Sequence, residues 1–186
     1  MTAHRRIVAG LFVSMDGVVE APEKWGMSYN TGEAAEAVTR LFDDADTALL
    51  GRGTYQIWSS FFPHITSEQV PTADWLNAAP KYVVSSSLTE VGQWQGSRLI
   101  TGDDIAGQIQ ALKRQSGGNV NVGGSITLVQ WLMRNGLLDD LYLQIAPVIA
   151  GTGRTLADGE QIPMHLQATR AFDNGVVEAH YTPQPR

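Results

Sequence analysis

Short apolar runs alternate along the chain with stretches in which apolar residues recur at spacings of three and four. Residues 5–14 carry Ile7, Val8, Ala9, Leu11, Phe12 and Val13, apolar on both faces, and predict a strand buried on both sides. Asn30 with Glu33 three positions on has the form of a capping box. It predicts a helix over 31–42 that buries Ala34, Val38, Leu41 and Phe42. A strand over 46–50 leads through Gly51, Arg52, Gly53 and Thr54 into a helix carrying Tyr55, Ile57 and Trp58, ended by Phe61, Phe62 and Pro63. A short helix over 72–79, a strand over 81–85 and another within 93–100 follow. Asp103 or Asp104 caps a helix with Ile105, Ile109 and Leu112 inward, ended at Gly117 and Gly118. A strand over 119–122 turns through Gly123 and Gly124 into a helix opening at Ser125. Ile126, Val129, Leu132 and Met133 share one face of it, and Asn135 and Gly136 stop it. After a strand over 141–145, Asp173, Asn174 and Gly175 lie between strand-like runs at 166–172 and 176–182, a strong hairpin signal. The alternation of strand and helix predicts one three-layer α/β domain over 4–183. Its central sheet is mostly parallel and ends in an antiparallel C-terminal hairpin.

Composition narrows the chemistry. A length of 186 residues supports one substantial core, and a net charge of -6 argues against nucleic acid and against anionic membrane surfaces. The absence of cysteine excludes disulfides, thiolate metal sites and cysteine nucleophiles, and fits a reducing compartment. The apolar run after His4, Arg5 and Arg6 is short and lacks a small-residue cleavage pattern. It therefore reads as the first strand of a cytoplasmic protein rather than a leader. His4, His64, His165 and His180 have no metal-ligand spacing, so no metal is expected.

Three strand ends carry phosphate-seeking chemistry. Gly123, Gly124 and Ser125 let a ligand approach the backbone at a helix start, where free N–H groups and the dipole favour an anion. Gly51, Arg52, Gly53 and Thr54 add a guanidinium suited to a phosphate monoester. Ser85, Ser86 and Ser87 place three hydroxyls just past a strand. One such turn is weak evidence. Three at successive strand ends suggest a ligand with separated phosphates, such as a dinucleotide with a 2′-phosphate. No G-x-G-x-x-G run follows the first strand, which excludes an ordinary Rossmann domain.

These motifs, in this order, resemble the dihydrofolate reductase-like family that includes the reductase domain of bifunctional riboflavin biosynthesis proteins. The matching stretches are Ser14 to Gly17, Leu50 to Tyr55, Pro80 to Ser85, Val122 to Ser125 and Gly136 to Gly153. Glu20 to Trp25 is similar to one branch of small stand-alone members. The resemblance implies NADPH, with Arg52 and Ser86 at the 2′-phosphate. Gly51, Gly53 and Thr54 would share the diphosphate with Gly123, Gly124, Ser125 and Ile126. Asp16 and Gly17 would border the nicotinamide, and Ser14 of the same turn would also bind the cofactor. It also implies a cis bond between Gly123 and Gly124, a loop at Gly151 to Gly153 near a dimer-forming edge, and a homodimer. The activity implied is hydride transfer to a C=N or C=C bond of a pteridine- or pyrimidine-like ring, as in dihydrofolate reductase or a phosphoribosylaminouracil reductase. A non-catalytic NADPH-binding protein is the alternative. Asp16 and Glu33 are the candidate catalytic carboxylates, against plainer roles in an Asp-Gly turn and a capping box. Folate reductases carry their carboxylate closer behind the loop tryptophan than Glu33 stands behind Trp25, which argues against folate as substrate.

Overall fold

The computed structural model describes residues 4–184. Eight strands form one sheet: β1 (Ile7–Ser14), β2 (Ala45–Gly51), β3 (Lys81–Val84), β4 (Ser97–Ile100), β5 (Asn119–Gly123), β6 (Asp140–Ala146), β7 (Met164–Ala171) and β8 (Val177–Pro183). Five α-helices connect them: α1 (Gly32–Arg40), α2 (Arg52–Phe61), α3 (Ala73–Ala78), α4 (Ile105–Lys113) and α5 (Ile126–Arg134). The strand order is β4-β3-β2-β5-β1-β6-β8-β7. Every pairing from β4 to β6 is parallel, and β8 pairs antiparallel with both β6 and β7. This is the expected α/β architecture with its antiparallel C-terminal hairpin.

The sheet is covered on both faces. Ile7, Ala9, Leu11 and Val13 of β1 point to a core shared with Ile109 and Leu112 of α4 and Ile126, Val129 and Leu132 of α5. On the opposite face Ala48, Leu50 and Val83 pack with Tyr55 of α2, Phe62, Leu76 of α3 and Trp94. α1 covers that same face farther along. Leu41, at its end, lies so close to Gly10 that a Cβ there would meet its Cδ1 at 2.6 Å. Ala34 and Ala37 rest on Phe172 and Val176 of the hairpin. Among the described residues no helix is long and apolar enough to cross a membrane.

Local chemistry explains most boundaries. Asp104, not Asp103, caps α4, its carboxylate accepting the Gly107 N–H at 2.8 Å. The hairpin turns at Gly175, whose φ of 84° suits glycine. The capping box does not form. Thr31 is the N-cap of α1 and makes no side-chain cap bond, and Asn30 closes a 3-10 turn over Met27–Tyr29. Glu33 reaches outward instead to Arg170 of β7, at 2.7 Å. The helix is also shorter than expected, and it buries Ala34 and Ala37 while Val38, Leu41 and Phe42 are half-buried. Asn174 takes over part of the task of fixing its start, donating to the Tyr29 carbonyl at 2.7 Å.

Candidate functional site

Parallel strands deliver their C-terminal ends to one edge of the sheet. The order β3-β2-β5-β1-β6 therefore sets five turns side by side that are far apart in sequence. They are Ser85 to Ser87, Gly51 to Thr54, Gly123 to Ile126, Ser14 to Gly17, and the loop after Ala146.

The β5 turn is the tightest. Gly123 ends the strand, Gly124 takes φ 49°, and Ser125 is the extended N-cap of α5. No peptide bond among the described residues is cis, which corrects the expectation for the Gly123–Gly124 bond. The left-handed φ of Gly124, open to a residue without Cβ, makes the reversal with a trans bond. Both glycines are needed for packing. A Cβ on Gly123 would stand 2.5 Å from the Trp58 ring and 2.8 Å from Leu50, and one on Gly124 3.3 Å from Trp58. A Cβ on Gly51 would run into Ser125 Oγ, so the β2 and β5 turns touch. Neither α2 nor α5 is capped by a side chain. Two helix starts thus lie together, and the first-turn N–H groups of each lack partners within the helix. Gly53 has open space around its Cα, and Thr54 lines the wall beside Gly124.

At the β2–β3 end, Arg52 is exposed on the first turn of α2, and its Nη1 donates to Ser87 Oγ at 3.1 Å. The serines divide their work. Ser85 is buried, and its Oγ accepts the N–H groups of Ser87 at 3.1 Å and Leu88 at 3.0 Å, so it fixes the turn. Ser86 is exposed. Ser86, expected beside Arg52 at a 2′-phosphate, lies next to the Ser87 that Arg52 contacts.

The β1 turn is held by its own carboxylate. Asp16 Oδ1 accepts from Ser14 Oγ at 2.5 Å and from the Ala150 N–H at 3.0 Å, and Oδ2 accepts from the Gly151 N–H at 2.7 Å. The Ser14 hydroxyl first, then the two amides, hold the Asp16 pKa down at about 2. At neutral pH Asp16 is therefore an ionised acceptor. A second clasp lies beside the first. Glu20 accepts from the Arg154 N–H at 3.1 Å and its Nε at 2.8 Å, and Val19 N donates to the Arg154 carbonyl at 2.9 Å. The Arg154 side chain, then its amide, hold the Glu20 carboxyl below its ordinary range. The Gly151 to Gly153 loop is thus wired to the β1 turn. Glu33 is not brought to Asp16; it stays exposed, paired with Arg170.

Two residues of this region escaped the sequence reading. Trp58 walls the glycine turn, though its spacing marked it only as a helix-lining residue. Gln144 is 2% exposed in β6, with its Nε2 donating to Glu178 at 2.5 Å. The signal for it was a lone amide in the apolar run Leu141 to Ala146. Among the described residues no group of three or more His, Cys, Asp or Glu is placed to hold a metal ion.

Comparison with known proteins bears on the fold and the family. The chain is similar to YyaP, an uncharacterised protein of Bacillus subtilis (strain 168). The two are 27% identical over 181 residues, covering 95% of this chain and 94% of the relative. A crystal structure of a pyrimidine reductase-like protein from Corynebacterium diphtheriae superposes with a TM-score of 0.70 at 15% identity. It covers 98% of this chain and 93% of that one. Dihydrofolate reductase from Enterococcus faecalis, complexed with NADP(H), superposes with a TM-score of 0.65 at 14% identity over 97% of each chain. These likenesses establish a dihydrofolate reductase-like fold. The model of the RibD C-terminal domain matches residues 5–177, and the chain belongs to that family.

Proposed function

We propose that this protein is an NADPH-dependent reductase that transfers hydride to a C=N or C=C bond of a pyrimidine- or pteridine-like heterocycle. The observation that carries the reading is the row of adjacent turns with an exposed arginine–serine pair at its outer end. Distinct anion-seeking groups follow one another there at the spacing of neighbouring strands. Family membership and the named reductases with this fold support it.

In this reading Arg52, Ser87 and Ser86 hold the 2′-phosphate. The uncapped starts of α2 and α5, through Gly51, Gly53, Thr54 and Gly123 to Ile126, take the diphosphate. Their fit is favoured by two glycines where any Cβ would collide with Trp58 or Ser125. Ser14 and Gly17 border the nicotinamide, and the clasp on Asp16 keeps that turn in place. When bound, the cofactor supplies the hydride. An ionised Asp16 and an ion-paired Glu33 leave protonation of the ring to water. That same observation favours the second reading, a non-catalytic NADPH-binding protein, because neither carboxylate stands in a dry pocket.

NADPH oxidation across a panel of pyrimidines and pterins separates the two. Turnover of any member above the cofactor's background oxidation supports the reductase. Tight NADPH binding with no turnover supports the binding protein, and no NADPH binding removes both. We also propose a homodimer formed through the β6–β8–β7 side of the sheet. A monomeric mass in light scattering at micromolar concentration would remove that proposal.

A further inference from the structure

A row of four residues in register crosses the sheet on the face that α1 covers. Phe12 of β1 stands opposite Gln144 of β6, Gln144 opposite Glu178 of β8, and Glu178 opposite Arg170 of β7. Partners in register share a face. The last of the row, Arg170, is the residue that Glu33 of α1 reaches. Two positions farther along β6, Ala146 stands opposite Ser14, so the row lies just inside the edge that carries the β1 turn.

Gln144 is the anomaly in this row. It is 2% exposed, its Nε2 is bound to the Glu178 carboxylate, and its Oε1 is buried without a hydrogen-bond partner. Turning the amide over would set its oxygen against a carboxylate oxygen, so the orphan is an acceptor. A buried acceptor left unmade destabilises the fold, whereas an apolar side chain of the same size would not. Folding accounts for the Nε2, which serves the Glu178 carboxylate, and leaves the Oε1 unexplained. Glu178 fixes the direction of the amide, which presents one buried carbonyl oxygen without a partner. The neighbour that could yield is the N-terminal part of α1, which rests on the hairpin through Ala34 and Ala37 against Phe172 and Val176, through the exposed Glu33–Arg170 pair and through Asn174 at the Tyr29 carbonyl, while Leu41 anchors the far end against Gly10. A helix end held by small side chains and exposed polar contacts opens more easily than the core.

We infer that Gln144, oriented by Glu178, is a specificity-determining residue whose Oε1 accepts an N–H from a lactam or amino-substituted ring. The inference rests on the heterocycle-reductase reading above. A buried acceptor built for an N–H rejects a ring that lacks one, because the acceptor then stays unpaired. Glu178 is the positioning residue: it holds the amide and does not itself need to touch the ring.

Lumazine and 1,3-dimethyllumazine test this, since they share one ring system with and without pyrimidine-ring N–H groups. Each is titrated into the NADPH-saturated protein. The wild type is expected to bind lumazine about tenfold more tightly than the dimethyl compound, and Gln144→Met to abolish the difference with NADPH affinity unchanged. Methionine removes the unmade acceptor at similar volume, but also the Nε2 donor of Glu178, so the two changes oppose one another in Tm and discrimination between the probes is the deciding readout. Equal binding of the two probes to the wild type, binding of neither, or discrimination intact in Gln144→Met overturns the assignment. A lowered Tm with unchanged discrimination makes Gln144 structural and overturns it as well. Failure of NADPH to bind removes the reductase reading instead, and the same two titrations on the cofactor-free protein then decide Gln144 separately.

Discussion

The turns after β2 and β5 present bare backbone, whereas the turn after β1 is bound by carboxylates to a loop 134 residues farther along the chain. On the first side, glycines bring two uncapped helix starts into contact, and the side chains nearby wall the space rather than fill it. On the second side, Asp16 and Glu20 spend their acceptor capacity on Ala150, Gly151 and Arg154. The difference separates two ways of making a site. A backbone site is open to an anion at once, because its donors have no other partners. A clasped turn has its donors and acceptors already matched, and contributes shape and position instead.

The backbone side should break most severely under a single added side chain. Gly123→Val places atoms inside the Trp58 ring and against Leu50. Overpacking of this kind costs about 1–3 kcal/mol. At about 2–4 °C per kcal/mol for a chain of this size, thermal denaturation should show a clear fall in Tm. Adding Trp58→Leu should return part of it, since the collision is with that ring. Recovery of Tm without recovery of NADPH binding would show that the glycine is also needed by the ligand. No destabilisation in the single variant would mean that α2 stands off the turn.

Arg52→Ala comes next in size and acts on the ligand alone. Arg52 is exposed and among the described residues its side chain bonds to Ser87, so the fold should not notice its loss. A charge-assisted hydrogen bond contributes about 1.5–3 kcal/mol, which corresponds to roughly ten- to a hundred-fold in affinity. Calorimetric titration should show the wild type preferring NADPH to NADH by that factor. The variant should lose most of the preference while its NADH affinity stays the same. Equal loss for both cofactors would place Arg52 at the diphosphate.

This comparison also explains what the sequence could disclose. Glycine turns, an arginine at a helix start and an Asn174–Gly175 hairpin are local signals, and the structure keeps all of them where the sequence puts them. The order of the strands supplied the rest: nothing local says that Ser87, Thr54, Ile126 and Gly17 come to one edge. The clasps were illegible because each partner is a backbone amide or a lone side chain in a distant loop. The capping box at Asn30 and Glu33 misled, since Arg170 competes for the carboxylate from a strand 137 residues away. Lys81 shows the same limit. The sequence places it only at the start of a strand, yet it is fully buried, and its Nζ donates to the carbonyls of Asn77, Ala79 and Gln95 at 2.7–3.1 Å. Burial pulls its pKa down to about 8.

The smallest effect belongs to the clasp itself. The Asp16 carboxyl is held at about 2 in the folded protein against an ordinary 3.8. The folded state therefore binds that proton more weakly than the unfolded chain. The stability it contributes is complete above pH 3.8 and is lost as pH falls from there through about 2. Asp16 is exposed, so solvent screens the contribution and the difference in Tm should be modest. Asp16→Asn keeps the shape of the side chain and removes the charge. At neutral pH the wild type should be the more stable of the two, and thermal denaturation at a series of pH values should show the gap closing between about pH 4 and pH 2. A gap that does not change with pH would mean that the amide fails through geometry, by turning its NH₂ toward Ala150 or Gly151, and that the charge of Asp16 contributes nothing. A gap that widens on acidification would reverse the sign required by a depressed pKa, and would mean that another carboxylate, Glu20 foremost, governs how these two loops are held together.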